Sequence, residues 1–182
     1  VLNWFWFPRG EVTRDRSFSF FSRYRSLLAL PVLRTILAAN FAQRIAFVGM
    51  FSYLATYMID DYGMSVGAVA LPLASVGIGT VIGSYIGGYV ANRNDRMHLI
   101  AVCASGGGIA ALFLFSVDIP VWAGVVTATG ATALLSIPWT VLITVITEVS
   151  SQSRATGFGF LGVSNQTGAV GGAALAGYLL AP

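Results

Sequence analysis

Long apolar stretches separated by short polar segments occupy most of this sequence. The clearest one runs from Val66 to Val90 without a single Asp, Glu, Lys, Arg or His. Roughly 20 consecutive apolar residues, folded as a helix, are enough to cross the hydrocarbon core of a bilayer. The pattern therefore predicts a helix that has lipid as its solvent.

Four further stretches have a similar length, which gives five predicted membrane spans. The predicted spans are residues 35–59, 66–90, 99–115, 121–147 and 155–180. We expect an all-α integral membrane protein in which residues 35–182 form one transmembrane helical bundle. Residues 1–34 are expected to hold the end of a preceding helix, Val1 to Phe7, and then a basic cytoplasmic linker. The simplest interpretation of that linker is a partly disordered tether at the membrane interface, with a regulatory site as the alternative.

The basic residues are distributed unevenly between the loops. Nine of the ten arginines lie before the first span, between the second and third, or between the fourth and fifth. The two intervening loops carry Asp60, Asp61 and Asp118 and no basic residue. Because arginine accumulates in cytoplasmic loops, the acidic loops are predicted to lie outside the cell.

Composition agrees with a membrane protein and excludes several function classes. Hydrophobic residues make up 56% of the chain and charged residues 9%, whereas soluble domains have about 25% charged residues. The mean hydropathy is +0.78. The net charge of +3 comes from loop arginines that form no stripe with aromatics, so we expect no nucleic-acid partner. The single cysteine, Cys103, excludes an intramolecular disulfide, and we expect no metal site or cofactor.

Glycines recur at helical spacing in two of the spans. Gly79, Gly83 and Gly87 are four residues apart, and Gly168 and Gly172 repeat the spacing in the last span. Residues four apart lie on one helix face, and small residues there let a neighbouring helix approach closely. We therefore predict that both sets pack against other helices.

Polar residues interrupt the first span. Asn40, Gln43 and Arg44 lie within it, and Arg44 is roughly 15 Å along the helix at ~1.5 Å per residue. A charge near mid-membrane costs at least ~2.5 kcal/mol on insertion scales, so Arg44 is expected to face a cavity or a partner. The alternative is that Arg44 snorkels to the cytoplasmic interface.

The fourth span contains Pro138, which predicts a bend near Ser136. Trp139 follows directly, and the pair indicates either a cavity wall or a kink with a packed aromatic side chain. The full set of candidate cavity residues is Asn40, Gln43, Arg44, Tyr53, Ser136 and Trp139.

The loop after the second span, GGYVANRNDR from Gly87 to Arg96, resembles the loop signature of the major facilitator superfamily. Arg93 and Arg96 match its basic positions, whereas Asn92 stands where aspartate is usual and Asp95 where glycine is common. This departure leaves open whether the loop makes the family's usual charge contact with a helix terminus. The candidate residues of the loop are Gly87, Gly88, Asn92, Arg93 and Arg96.

The resemblance implies that the chain is the C-terminal half of a twelve-helix transporter and that its spans are the seventh to the eleventh helices. In that family the eighth and eleventh helices meet the opposite half, the seventh and tenth line a central cavity, and the ninth faces lipid. The implied partners are the lipid bilayer, the N-terminal half and last helix of the same transporter, a small-molecule substrate and protons.

The resemblance also implies a function: secondary active transport by alternating access. Within it we expect a proton-coupled antiporter for efflux of drugs or sugars, a multi-pass protein of a bacterial inner membrane. An enzyme is not expected, because the chain has no HExxH or GxSxG motif, no paired intramembrane carboxylates and only one histidine. The alternative function is that of a structural subunit or a degenerate half-transporter. Arg44 discriminates between a transporter and a scaffold, because a scaffold has little use for a charge at membrane depth.

Overall fold

The computed structural model describes residues 20–151 and 153–179, and these residues form six α-helices connected by short loops. The helices are α1 Phe20–Leu28, α2 Pro31–Asp60, α3 Ala70–Val90, α4 Arg96–Ser116, α5 Val121–Val149 and α6 Arg154–Leu179. The prediction of an all-α membrane bundle is confirmed. The predicted end of a preceding helix, Val1 to Phe7, and the linker up to residue 19 lie outside the described residues.

Several helix ends differ from the predicted spans. The second helix begins at Pro31 rather than at residue 35, because proline suits the first helical turn, where its missing N–H is not needed. The third begins at Ala70 rather than at residue 66. The backbone N–H of Ala68 donates to the carbonyl oxygen of Ser65 at 2.9 Å, so a turn precedes the helix. Part of the predicted tether is α1, and its Leu27 packs against the core.

Three of the described helices, α3, α4 and α5, are long and apolar enough to cross a membrane. The remaining long helices, α2 with 30 residues and α6 with 26, have the length of a span but more polar side chains. Large apolar side chains are exposed on the outside of the bundle, among them Leu112, Val126 and Val170. Lipid is the solvent that such a surface requires.

The central helix of the bundle is α5, which packs against α3, α4 and α2. Its face toward the core is made of small and branched side chains, such as Ala131, Thr132 and Val141, and all three are buried. On the other side α2 pairs with α6. The bundle therefore contains two close helix pairs, α3 with α5 and α2 with α6, and α2 also contacts α5.

The glycines of α3 lie directly against the backbone of α5. A Cβ atom on Gly83 would overlap the carbonyl group of Ala133, and one on Gly87 would lie 2.8 Å from the carbonyl oxygen of Ile137. Gly79 meets the backbone of Thr129 in the same way. Only residues without a side chain allow this separation.

The glycines of α6 lie against α2. A Cβ atom on Gly172 would be 2.5 Å from the carbonyl oxygen of Ile45, and one on Gly168 would be 2.8 Å from that of Phe41. Both glycine faces are thus occupied by helices of this chain. The helices that these glycines pack against are α5 for the first set and α2 for the second.

The described loops separate into two ends of the bundle. The Tyr62 hydroxyl donates to the carbonyl oxygen of Ile119 at 2.8 Å, which joins the two acidic loops at one end. Arg96 and Glu148 pair at the other end. This arrangement is the one that the alternation of charged loops predicts.

Labelling of single cysteines tests the orientation. In sealed, intact cells, Asp61→Cys and Asp118→Cys should react with an impermeant thiol reagent, and Asn94→Cys should react only after permeabilisation. All three native side chains are exposed, so access to solvent is matched. Reaction of Asn94→Cys in intact cells would reverse the orientation of the bundle.

Candidate functional site

The polar residues of α2 point to different neighbours. Asn40 is fully buried, and its amide nitrogen donates to the Ser164 hydroxyl at 3.1 Å and to the carbonyl oxygen of Leu161 at 3.4 Å. The Ser164 hydroxyl in turn donates to the carbonyl oxygen of Leu37 at 2.7 Å. Asn40 therefore belongs to the contact between α2 and α6.

Gln43 reaches α5 instead. Its amide nitrogen donates to the carbonyl oxygen of Leu135 at 2.7 Å. This carbonyl lies in the turn before Pro138, next to that of Leu134, which is the carbonyl that loses its helical donor to the proline. Gln43 therefore ties α2 to α5 beside Pro138. The hydroxyl of Ser136, by contrast, donates to the carbonyl oxygen of Thr132 within α5 at 2.8 Å.

Arg44 packs between aromatic rings. Its Cζ atom lies 4.2 Å from the ring centroid of Trp139 and 5.5 Å from that of Phe47, both within cation–π range. At ~1.5 Å per residue, Arg44 is about 20 Å from the start of α2, and Trp139 is about 15 Å from the end of α5. Within the described part of the chain, no carboxylate pairs with Arg44.

Several buried polar atoms near these contacts have no hydrogen-bond partner among the described residues. They are Asn40 Oδ1, Gln43 Oε1, Arg44 Nε and Asn165 Oδ1. Three of the four come from one five-residue segment of α2. Unpaired buried polar groups are uncommon in folded proteins, and each requires an explanation such as a missing ligand, ion or water.

The structure brings some predicted cavity residues together and separates others. Gln43 and Arg44 meet α5 beside Pro138 and Trp139. Tyr53 lies elsewhere: it lines an apolar groove of about 390 Å³ between α2, α4 and α6, next to Gly177. Phe47 and Ser164 were not among the residues predicted from the sequence. Phe47 could have been found, since it lies three residues after Arg44 on the same helix face.

The loop between α3 and α4 is held by Arg96. Its Nη1 and Nη2 atoms donate to the two carboxylate oxygens of Glu148, at 2.9 and 2.5 Å, and Nη1 also lies 3.4 Å from the carbonyl oxygen of Ala91. The loop therefore does contact a helix terminus through charge, namely the end of α5, although Asn92 replaces the usual aspartate. Asn92 and Arg93 are exposed.

The two loop-signature glycines differ. Gly87 packs on α5, whereas a Cβ atom on Gly88 would meet no atom within 4 Å. Glu148, the partner of Arg96, was not predicted from the sequence. A carboxylate near the end of α5, on the same side of the membrane as the arginine-rich loop, is the signal that could have indicated it.

Exchange of the two charges tests the Arg96–Glu148 pair. Glu148→Arg should lower the thermal unfolding temperature at low salt, because it places two cations together, and adding Arg96→Glu should restore most of the loss. Arg93→Glu, at an exposed neighbouring position, is the matched control and should change little. A double variant as unstable as Glu148→Arg would show that the pair contributes nothing.

Comparison with known proteins places these features in a family. The model of the Major Facilitator Superfamily matches residues 36–182. A relative described as an uncharacterized MFS-type transporter, YceJ of Bacillus subtilis (strain 168), is 33% identical over 70 residues, which cover 38% of this chain and 18% of the relative. No solved structure matches the chain. The resemblance in the loop after α3 is thereby confirmed, and the chain belongs to the Major Facilitator Superfamily.

Proposed function

We propose that this chain supplies the seventh to eleventh helices of a secondary active transporter that moves a small molecule by alternating access. The polar contact between α2 and α5, formed by Gln43, Arg44 and Trp139, is proposed as its contribution to the cargo site. The observation that carries the proposal is Arg44, a half-buried cation in the middle part of α2 without a carboxylate partner in the described residues.

The position of Arg44 favours a transporter over a structural subunit. Holding a charge near mid-membrane costs at least ~2.5 kcal/mol, and glycine packing alone would stabilise a scaffold without that cost. The side chain is stacked on Trp139 and half-buried, which disfavours the snorkelling alternative. A cavity shared with a second bundle gives the guanidinium a function.

We further propose export of a small amphipathic compound or a sugar across a bacterial inner membrane in exchange for protons. The acidic residues of the described chain, such as Asp61, Asp118 and Glu148, are exposed at the ends of the bundle. A carboxylate that carries the proton would therefore lie in the other half of the transporter.

Alternating accessibility tests the proposal without knowledge of the cargo. In the intact transporter, free of other cysteines, Trp139→Cys should react with impermeant thiol reagents applied from either side, because the site opens to each side in turn. Leu142→Cys is the matched control: Leu142 is three residues further along α5 and 1% exposed, and it should stay unreactive. Reaction of Trp139→Cys from one side only would contradict alternating access.

A further inference from the structure

The guanidinium of Arg44 lies against the rings of Trp139 and Phe47, and its Nε has no hydrogen-bond partner among the described residues. Trp139 stacks at 4.2 Å from Cζ, so a ligand cannot approach through that ring. The Nε atom is buried and has no hydrogen-bond partner among the described residues. A guanidinium presents its donors in a planar fork that fits the two oxygens of a carboxylate side by side.

The charge of the site limits what can bind there. Arg44 is the one arginine inside the predicted spans, and it has no acidic partner in the part of the chain that the structure describes. One negative charge would balance it. A carboxylate carries one, whereas a phosphate monoester carries about 1.5 to 2 at neutral pH.

A second unpaired group lies one residue away along α2. Gln43 is 3% exposed, and its amide nitrogen is used by Leu135 while Oε1 has no partner among the described residues. This oxygen needs a donor, which a hydroxyl or amino group of a ligand can provide. The rings of Phe47 and Trp139 offer an apolar wall beside the cation.

We propose that Arg44 binds the carboxylate of a small organic acid through its guanidinium N–H groups, with the apolar part of the acid near Phe47 and Trp139. This inference rests on the proposed function and names the chemical class of its cargo. The carboxylate could also come from an aspartate or glutamate in the other half of the transporter, and the experiment separates the two sources.

Thermal unfolding of the purified intact transporter, with benzoate and with its uncharged counterpart benzamide, provides the test. Benzoate should raise the unfolding temperature and benzamide should not, because a ligand bound only to the folded state stabilises it. Arg44→Ala should weaken benzoate binding by roughly tenfold to a hundredfold, the loss expected for charged hydrogen bonds. Arg34→Ala removes an exposed arginine of the same helix and should leave the benzoate effect unchanged. If Arg44→Ala fails to fold, Arg44→Lys replaces it. Lysine lacks the planar fork, so this variant should also reduce the stabilisation by benzoate.

The possible results have distinct meanings. Equal stabilisation by benzoate and benzamide, or a benzoate effect that survives Arg44→Ala, would overturn the inference. A different result would assign the carboxylate to an aspartate or glutamate of the protein. In that case benzoate has no effect, and Arg44→Ala is less stable than Arg34→Ala at neutral pH but equally stable in acid. The inference that Arg44 binds a free organic acid would then be overturned. Alternating accessibility at Trp139 is measured without benzoate, so the proposed function would stand or fall separately.

Discussion

Replacing Gly83 by leucine is expected to prevent α3 from docking on α5. A Cβ atom at this position would lie 2.8 Å from the carbonyl carbon and 2.9 Å from the Cα atom of Ala133. Overpacking in a core typically costs about 1–3 kcal/mol, and side chains usually absorb part of it by moving. Here the obstacle is helix backbone, so the two helices must separate along their length. The measurement is the yield of monodisperse transporter and its thermal unfolding temperature.

Other glycines of the bundle serve as controls for the substitution of Gly83. A Cβ atom on Gly77 or Gly88 of the same helix would meet no atom within 4 Å, so leucine at either position should be tolerated. Gly107→Leu should be intermediate, because its Cβ would meet mainly the flexible side chain of Leu135, at 2.6 Å from Cγ. Similar yields for Gly83→Leu and Gly88→Leu would show that the close approach of α3 to α5 is not needed for folding.

The apolar pattern predicted the existence of the five long helices because a bilayer requires length and hydrophobicity from each span. It did not predict their ends well. The start of α3 depends on a turn at Ser65, and that turn is made of hydrogen bonds that hydropathy does not report. The helix α1 was missed because a basic segment rich in aromatics has no membrane-spanning pattern, although Leu27 anchors it to the core.

The contacts between helices were harder to predict from the sequence than the positions of the helices along the chain. The spacing of Gly79 and Gly83 indicates that something packs closely, but one spacing fits a helix of this chain and a helix of the opposite half equally well. The same holds for Arg96, whose partner Glu148 is 52 residues away. Pairings at such separations are decided by the whole arrangement of helices.

The candidate site was predictable from the sequence in part. The depth of Arg44 follows from counting residues along a helix, and so does its need for a partner. The identity of the partners could not be counted in this way. It depends on how α2 crosses α5, which brings Trp139 against Arg44 and Gln43 against the turn before Pro138. Tyr53 was grouped with these residues, yet it lines a separate groove.

Arg44→Ala is expected to abolish transport by the intact protein while expression and membrane insertion stay normal. The substitution removes the cation that we propose binds the cargo. Loss of a charged hydrogen bond alone lowers affinity by about tenfold or more. Arg44→Lys should restore transport only partly, because an ammonium keeps the charge but cannot present the planar fork.

Flux through proteoliposomes measures what Arg44 contributes to transport. The cargo is the compound that the unaltered transporter moves fastest in a screen of sugars and small amphipathic acids, and Arg34→Ala is the control for loss of an arginine from α2. We predict background flux for Arg44→Ala, intermediate flux for Arg44→Lys and unaltered flux for Arg34→Ala. Unimpaired flux through Arg44→Ala would show that Arg44 is an anchor without a part in transport.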